Sequence, residues 1–138
     1  MLERTLAIIK PDAVEGRQVG AIIQRIEAGG FQIRAMRQLH LSQREAEGFY
    51  AVHRAKPFFG GLTAFMASGP AVVLVLEAAD AIRKWRTLMG ATDPAKAGAG
   101  TLRKEFGQSI DRNATHGSDA PETAAYEIGY FFAGMDLV

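Results

Sequence analysis

The segment Asn113–Asp119 has the sequence NATHGSD and contains a histidine whose surroundings favour reactive chemistry. A neutral imidazole held in one tautomer is a competent nucleophile. His116 follows a β-branched residue and precedes Ser118 and Asp119, two residue types that are common at helix starts. We therefore predict that His116 lies in a tight turn at the start of a helix, where main-chain N–H groups favour an incoming phosphate.

Residues that could hold an anion are dispersed along the chain. The sequence contains no Walker-type glycine-lysine loop, and Gly98-Ala99-Gly100 lacks the third glycine of a dinucleotide fingerprint and follows no strand, so a P-loop enzyme is disfavoured. The candidates are Lys10 at a strand end, Arg86 on a helix, and Thr92 and Arg103 beside a glycine-rich loop. Each alone is typical of a solvated side chain, but three cations and a hydroxyl together could clamp a polyphosphate and neutralise charge during its transfer.

The elements that must position these residues follow a βαββαβ-like order with extra helices. Alternating or continuous apolar residues predict strands at Thr5–Ile9, Phe31–Leu39 and Ala71–Leu76, the last a central one. Helical spacing and capping signals predict helices at Val19–Ile26, Ser42–Tyr50, Phe59–Met66, Ala81–Met89 and Glu122–Phe132. Residues 91–112 are rich in glycine and weakly patterned, which predicts a long irregular loop of functional importance.

Composition excludes several classes of protein. The chain has 138 residues, 48% of them hydrophobic and 22% charged, which predicts one globular domain over residues 1–138. A net charge of +1 argues against a general affinity for nucleic acid or membranes. There is no cysteine and no N-terminal signal segment, so we expect a cytoplasmic protein without disulfides. His40 and His53 lie at no metal-ligand spacing from His116 and are expected to be surface or packing residues.

Five short motifs in the right order make the chain resemble the nucleoside diphosphate kinases over nearly its whole length, from about Glu3 to Phe132. The motifs are Ile8–Asp12, Lys56–Phe59, Ser68–Pro70, Gly90–Thr92 and, most specific of all, Asn113–Asp119. The resemblance implies an α+β, ferredoxin-like fold in which helices cover a four-stranded antiparallel sheet. It also implies transfer of the γ-phosphate of a nucleoside triphosphate, mainly ATP, to a nucleoside diphosphate through a phosphohistidine, with ping-pong kinetics.

The resemblance assigns a role to each matching residue. His116 matches the nucleophile, Glu127 a carboxylate that orients it, Ser118 a bridge to that carboxylate, and Tyr50 a nearby hydroxyl. The positions that match phosphate-binding residues are Lys10, Arg86, Thr92 and Arg103. Lys10 and Asn113 also match residues that reach the ribose hydroxyls. Phe58 matches the residue that stacks on the base, with Leu62 and Ile110 as neighbouring walls, and Phe59 is expected to be a core aromatic. Stacking accepts every base, which suits broad base specificity.

The resemblance also implies Mg²⁺ and a homo-oligomer, either a tetramer or a hexamer. Magnesium prefers phosphate oxygens and water, so we expect no dedicated protein site for it. Asp119 could contact it through water, although capping of the last helix is its expected local role. Ala99 stands where the family usually has proline in the long loop. We expect a less rigid loop, which affects the strength of subunit assembly and leaves the catalytic chemistry intact.

Three other functions are compatible with parts of this pattern. An RNA-binding module would need paired exposed aromatics on adjacent strands and a basic sheet face, and neither is visible. A non-catalytic scaffold is disfavoured because His116, Lys10, Arg103 and Asn113 occur together. A histidine phosphatase would need a general acid for hydrolysis, which the motif does not indicate. Uptake of label from γ-labelled ATP, followed by its discharge on addition of GDP, separates the kinase from all three.

Overall fold

Four antiparallel strands form one sheet in the order β2-β3-β1-β4 in the computed structural model, which describes residues 1–138. The strands are β1 (Leu2–Ile9), β2 (Gln32–Leu39), β3 (Ala71–Ala79) and β4 (Thr115–Gly117). The α-helices are α1 (Pro11–Glu15), α2 (Val19–Ala28), α3 (Gln43–Phe49), α4 (Phe59–Met66), α5 (Ala81–Met89), α6 (Leu102–Phe106) and α7 (Pro121–Phe131). This order confirms the predicted α+β sandwich and the central position of β3.

Both faces of the sheet are covered, which explains the unbroken apolar run of β3. Successive strand residues point to opposite faces, so Ala7 and Ile9 join one buried cluster while Leu6 and Ile8 join the other. The first cluster also contains residues of α2 and α5, including the fully buried Trp85. No helix is long and apolar enough to cross a membrane.

Local signals place most helix ends as predicted. The Ser42 hydroxyl accepts a hydrogen bond from the Glu45 N–H at 3.0 Å while the Glu45 carboxylate accepts one from the Ser42 N–H at 2.8 Å, so the predicted capping box is confirmed. Gly90 ends α5 with a φ of 85°, in the left-handed region. A side chain there would also meet Thr101, whose Cβ lies 2.6 Å from the position of an added methyl.

Two predictions about local structure are wrong, and a third is incomplete. His116 lies in a strand, because β4 pairs with β1 and places His116 opposite Ile8. Ser118 and Asp119 do not start α7: the helix begins at Pro121, and the Thr123 hydroxyl accepts hydrogen bonds from the main chain of Asp119 and Ala120. The segment 91–112 is not irregular throughout, since it contains a 3₁₀ turn at Pro94–Lys96 and the short helix α6.

Candidate active site

Strand β4 fixes the position of His116 through its partners on β1 and α5. Residues directly opposite each other in an antiparallel pair point to the same face, so the imidazole lies on the face of Ile8. The rings of Phe49 and Tyr50 contact it edge-on, with centroids 5.5 and 6.1 Å from the imidazole centroid. The indole Nε1 of Trp85 donates to the His116 carbonyl at 3.0 Å.

Glu127 orients the imidazole of His116. Nε2 of His116 lies 3.0 Å from Oε1 of Glu127, and the Ser118 hydroxyl donates to the same oxygen at 2.8 Å. The Ser118 hydroxyl also accepts from the Leu6 N–H at 3.2 Å. Because an ionised carboxylate only accepts, Nε2 must carry the proton in this pair. The lone pair of the neutral ring is then on Nδ1.

Lys10 follows β1 and reaches across to the segment that precedes β4. Its Nζ donates to Oδ1 of Asn113 at 2.9 Å and to the Asp111 carbonyl at 3.2 Å. The Asp12 carboxylate accepts from the Ala114 N–H at 3.0 Å, which holds Ala114 at a φ of 74°. The motif Lys10-Pro11-Asp12 therefore clamps the backbone immediately before His116.

The pKa of the Lys10 ammonium is lowered to about 8, mainly by burial; the nearby Asp12 charge opposes this shift and the Arg103 charge contributes to it. Burial and then the charge of Arg86 lower the pKa of Arg103 to about 10. Lys10 is thus mainly charged at neutral pH, and Arg103 fully so. Two cations whose charge is poorly solvated in the free protein are ready to bind an anion.

Main-chain carbonyls hold Arg103 in place. Its Nη1 donates to the Gly90 carbonyl at 3.1 Å and its Nη2 to the Thr115 carbonyl at 2.9 Å. Asn113 makes a parallel link, since its Nδ2 donates to the Thr92 carbonyl at 3.1 Å. These bonds join α6, the loop after α5 and β4 into one wall.

These side chains meet in a cavity of about 450 Å³. The predicted site residues that line it are Lys10, Tyr50, Phe58, Leu62, Arg86, Thr92, Arg103, Ile110, Asn113, His116 and Asp119. Ser118 and Glu127 are not part of the lining and contact His116 instead. The cavity combines three cationic side chains with one exposed aromatic ring, that of Phe58, and with the imidazole of His116, whose Nδ1 makes no hydrogen bond. This set can bind a phosphorylated aromatic ligand and attack its phosphorus.

Two side chains make contacts that were not predicted. Asp119 does not cap α7, because its Oδ1 accepts from Nη1 of Arg86 at 2.7 Å, an ion pair exposed to solvent. His53 packs against other rings, as one of its two predicted roles has it, but it also lines the cavity, with its ring centroid 5.6 Å from that of Phe58. His53 lies between Tyr50 and Phe58 in the sequence, and this proximity to two predicted site residues is the signal that indicates its place in the cavity.

Other aromatic predictions agree with the structure. Phe59 packs against the buried cluster as a core aromatic should, whereas the neighbouring Phe58 is 51% exposed. Tyr50 is buried beside His116, and burial together with the Glu127 charge raises the pKa of its phenol. The Tyr50 hydroxyl therefore stays protonated and can donate a hydrogen bond.

A family model described as nucleoside diphosphate kinase matches residues 3–137. The chain belongs to the nucleoside diphosphate kinase family. A nucleoside diphosphate kinase of Syntrophotalea carbinolica is 65% identical over 137 residues, which are 99% of this chain and 100% of that protein. A second relative of the same name, from Desulfotalea psychrophila, is 59% identical with the same coverage.

Solved nucleoside diphosphate kinases have the same fold. The crystal structure of the Aquifex aeolicus enzyme superposes with a TM-score of 0.98 at 44% identity, with both chains fully covered. The Halobacterium salinarum enzyme in complex with CDP superposes with a TM-score of 0.95 at 39% identity, covering 100% of this chain and 92% of that one. The chain is accordingly an enzyme that transfers the γ-phosphate of a nucleoside triphosphate to a nucleoside diphosphate. Family membership favours this activity over the three alternatives considered above.

Proposed function

We propose that His116 carries the phosphoryl group between the two nucleotides, so that the kinase works by a ping-pong mechanism. The observation that supports this most is the hydrogen bond from Nε2 of His116 to Glu127, which leaves the Nδ1 lone pair free in a residue that lines the cavity. Glu127 is an orienting group and not a base, because a neutral imidazole needs no deprotonation before it attacks.

In the first half-reaction the Nδ1 lone pair attacks the γ-phosphorus. A P–N bond forms, the bond from the γ-phosphorus to the bridging oxygen breaks, and the nucleoside diphosphate leaves with that electron pair. In the second half-reaction a terminal oxygen of another diphosphate attacks the phosphohistidine and the electron pair returns to Nδ1. The Glu127 carboxylate stabilises the positive charge that the ring carries while it is phosphorylated.

The remaining residues bind and orient the nucleotide. We assign the phosphates to Lys10, Arg86, Thr92 and Arg103, the ribose hydroxyls to Lys10 and Asn113, and the base to Phe58 with Leu62 and Ile110. Arg86 must exchange its Asp119 partner for a phosphate oxygen, which is inexpensive because exposed ion pairs contribute little. Stacking on the half-exposed Phe58 ring tolerates every base, so we expect broad base specificity.

We propose that Mg²⁺ enters with the nucleotide phosphates. The carboxylates that line the cavity are Asp111 and Asp119, and no three His, Cys, Asp or Glu side chains are grouped as a metal cage. The two carboxylates suit a cation that takes most of its ligands from phosphate and water, with Asp119 as an outer contact. When bound, Mg²⁺ neutralises phosphate charge.

Four further expectations stay predictions: assembly as a tetramer or hexamer, the effect of Ala99 on that assembly, a single domain, and a cytoplasmic location.

The phosphohistidine can be detected directly. We expect incubation with γ-labelled ATP and Mg²⁺ to leave acid-labile, base-stable label on the protein, because P–N bonds hydrolyse in acid. Addition of GDP should then discharge the label as GTP. A protein that exchanges phosphate between nucleotides without ever carrying label would use direct transfer, and the ping-pong proposal would be wrong.

The lowered pKa of Lys10 predicts an alkaline limit to activity. The ratio kcat/KM reports groups of the free enzyme, so it should fall by up to about tenfold per pH unit above pH 8, as Lys10 loses its proton. Bound phosphate favours charged Lys10, so kcat should hold to higher pH. The Lys10→Arg variant should have a lower kcat/KM and no such limb, because arginine stays charged. A wild-type kcat/KM that is flat to pH 9.5 would contradict the assignment.

A further inference from the structure

Two tyrosines on α7 bracket Glu127 and tie this helix to α3. Tyr126 and Tyr130 are four residues apart and lie on one helix face, with ring centroids separated by 6.1 Å. The Tyr126 hydroxyl donates to the Gly48 carbonyl at 2.9 Å, and the Tyr130 hydroxyl donates to the Glu45 carbonyl at 2.7 Å. Both hydrogen bonds therefore run from the helix that carries Glu127 to the main chain of α3.

The same junction sets the aromatic wall of the imidazole. Helix α3 ends at Phe49, and both Phe49 and the following Tyr50 contact the ring of His116. Tyr130 itself contacts Phe49, with ring centroids 5.7 Å apart at an angle of 62°. A shift of α7 relative to α3 would thus move the carboxylate and the aromatic wall of His116 against each other.

Gly48 makes the close approach of the two helices possible. A Cβ atom at this position would lie 2.4 Å from the Tyr130 hydroxyl, which excludes any other residue in the present geometry. The last carbonyls of a helix have no partner within the helix, and Gly48 is the penultimate residue of α3. The Gly48 carbonyl accepts from the Tyr50 N–H, and the Tyr126 hydroxyl adds a second donor, so the contact reinforces the end of α3.

We propose that Tyr126 and Tyr130 are positioning residues for phosphoryl transfer, because their hydroxyls fix α7 on α3 and so hold Glu127 against Nε2 of His116. This inference rests on the proposed role of His116 as the nucleophile. Neither tyrosine lines the cavity, so neither is expected to contact the nucleotide. Small displacements of a reacting group cost large factors in rate, so two hydrogen bonds that fix α7 on α3 can have a measurable effect on kcat.

The test is the double variant Tyr126→Phe/Tyr130→Phe in the full-length protein, which removes both hydroxyls and keeps both rings. We expect kcat to fall about tenfold while the KM for ATP changes less than about twofold. The ¹⁵N resonances of the His116 ring should show a protonated Nε2 in the wild type and a mixture of tautomers in the variant. The ¹⁵N spectrum of the ring needs no turnover. It therefore shows whether the two tyrosine hydroxyls hold Glu127 against Nε2 even if His116 is not the nucleophile.

Ser42→Ala is the matched control, because it removes the cap at the other end of α3 and leaves both tyrosines in place. It should keep the wild-type kcat and the wild-type tautomer. Gly48→Ala offers a second route, since the methyl displaces the Tyr130 hydroxyl while alanine favours the helix, and it should lower kcat despite equal or greater helix stability.

Three results would overturn the inference. These are a wild-type tautomer and kcat in the double variant, an equal loss of kcat in Ser42→Ala, or wild-type behaviour of Gly48→Ala. Absence of label on the wild-type protein would instead overturn the proposed nucleophile, and the tautomer shift would still be measurable.

Discussion

The His116→Ala variant should lose phosphoryl transfer by at least about four orders of magnitude, because it lacks the imidazole that we propose as the nucleophile. Its uptake of label from γ-labelled ATP should be undetectable. The fold should persist, since the main chain of His116 supplies the β4 pairing and the carbonyl that accepts from Trp85. Nucleotide binding should persist too, because Lys10, Arg103 and Phe58 remain.

The measurement is the coupled rate of transfer from ATP to GDP, together with labelling and the far-ultraviolet circular dichroism spectrum. His40→Ala is the control, because His40 lies outside the cavity with its Nε2 hydrogen-bonded to the Ala67 carbonyl. It should keep full activity. Label on folded His116→Ala protein would move the nucleophile to another residue, and His53 would be the first to test.

The Gly117→Ala variant should be destabilised by about 3 kcal/mol. A Cβ atom on Gly117 would lie 2.5 Å from Cδ1 of Trp85 and 2.7 Å from Cε of Met89, and both of these side chains are buried. Relief requires a shift of β4 or of α5. Because Gly117 directly follows His116, the same shift should also lower activity.

Urea unfolding at one fixed protein concentration measures this effect and avoids confusion with assembly. Gly129→Ala is the control, because Gly129 lies inside α7 with no atom within 4 Å of an added Cβ. That variant should gain about 0.5–1 kcal/mol, since alanine favours a helix over glycine. Equal unfolding free energies for the two variants would mean that the core around Trp85 yields easily, and the packing argument would be wrong.

Long, periodic segments of this chain could be predicted, and short segments held by distant partners could not. The apolar positions of α2 and the continuous run of β3 are local signals, and both elements were found close to their observed bounds. Strand β4 has only three residues, too few for any period, and it exists because β1 offers a free edge. His116 was therefore expected in a turn.

The misassigned start of α7 has a simple physical cause. Ser118 and Asp119 are good capping residues, but their side chains bond elsewhere: the Ser118 hydroxyl to Glu127 and to the Leu6 N–H, and the Asp119 carboxylate to Arg86. Pro121 occupies the first position of the helix, where proline is favoured, and it was the better local marker. The residue types alone offer Lys10, Arg86, Thr92 and Arg103 as dispersed anion-binding candidates, but nothing local indicates that Lys10 and Asn113 meet, and only the resemblance predicts that they share a site.

The anchors around His116 are largely main-chain carbonyls: those of Gly90, Asp111, Thr92 and Thr115 accept from cationic or amide side chains, and that of His116 accepts from Trp85. A carbonyl is present whichever amino acid occupies its position. Mutational drift at Asp111 can therefore change the side chain without deleting the acceptor, as long as the backbone path is preserved. Descendants of this enzyme can therefore differ in side chains at the rim of the site while the donor side chains keep their positions.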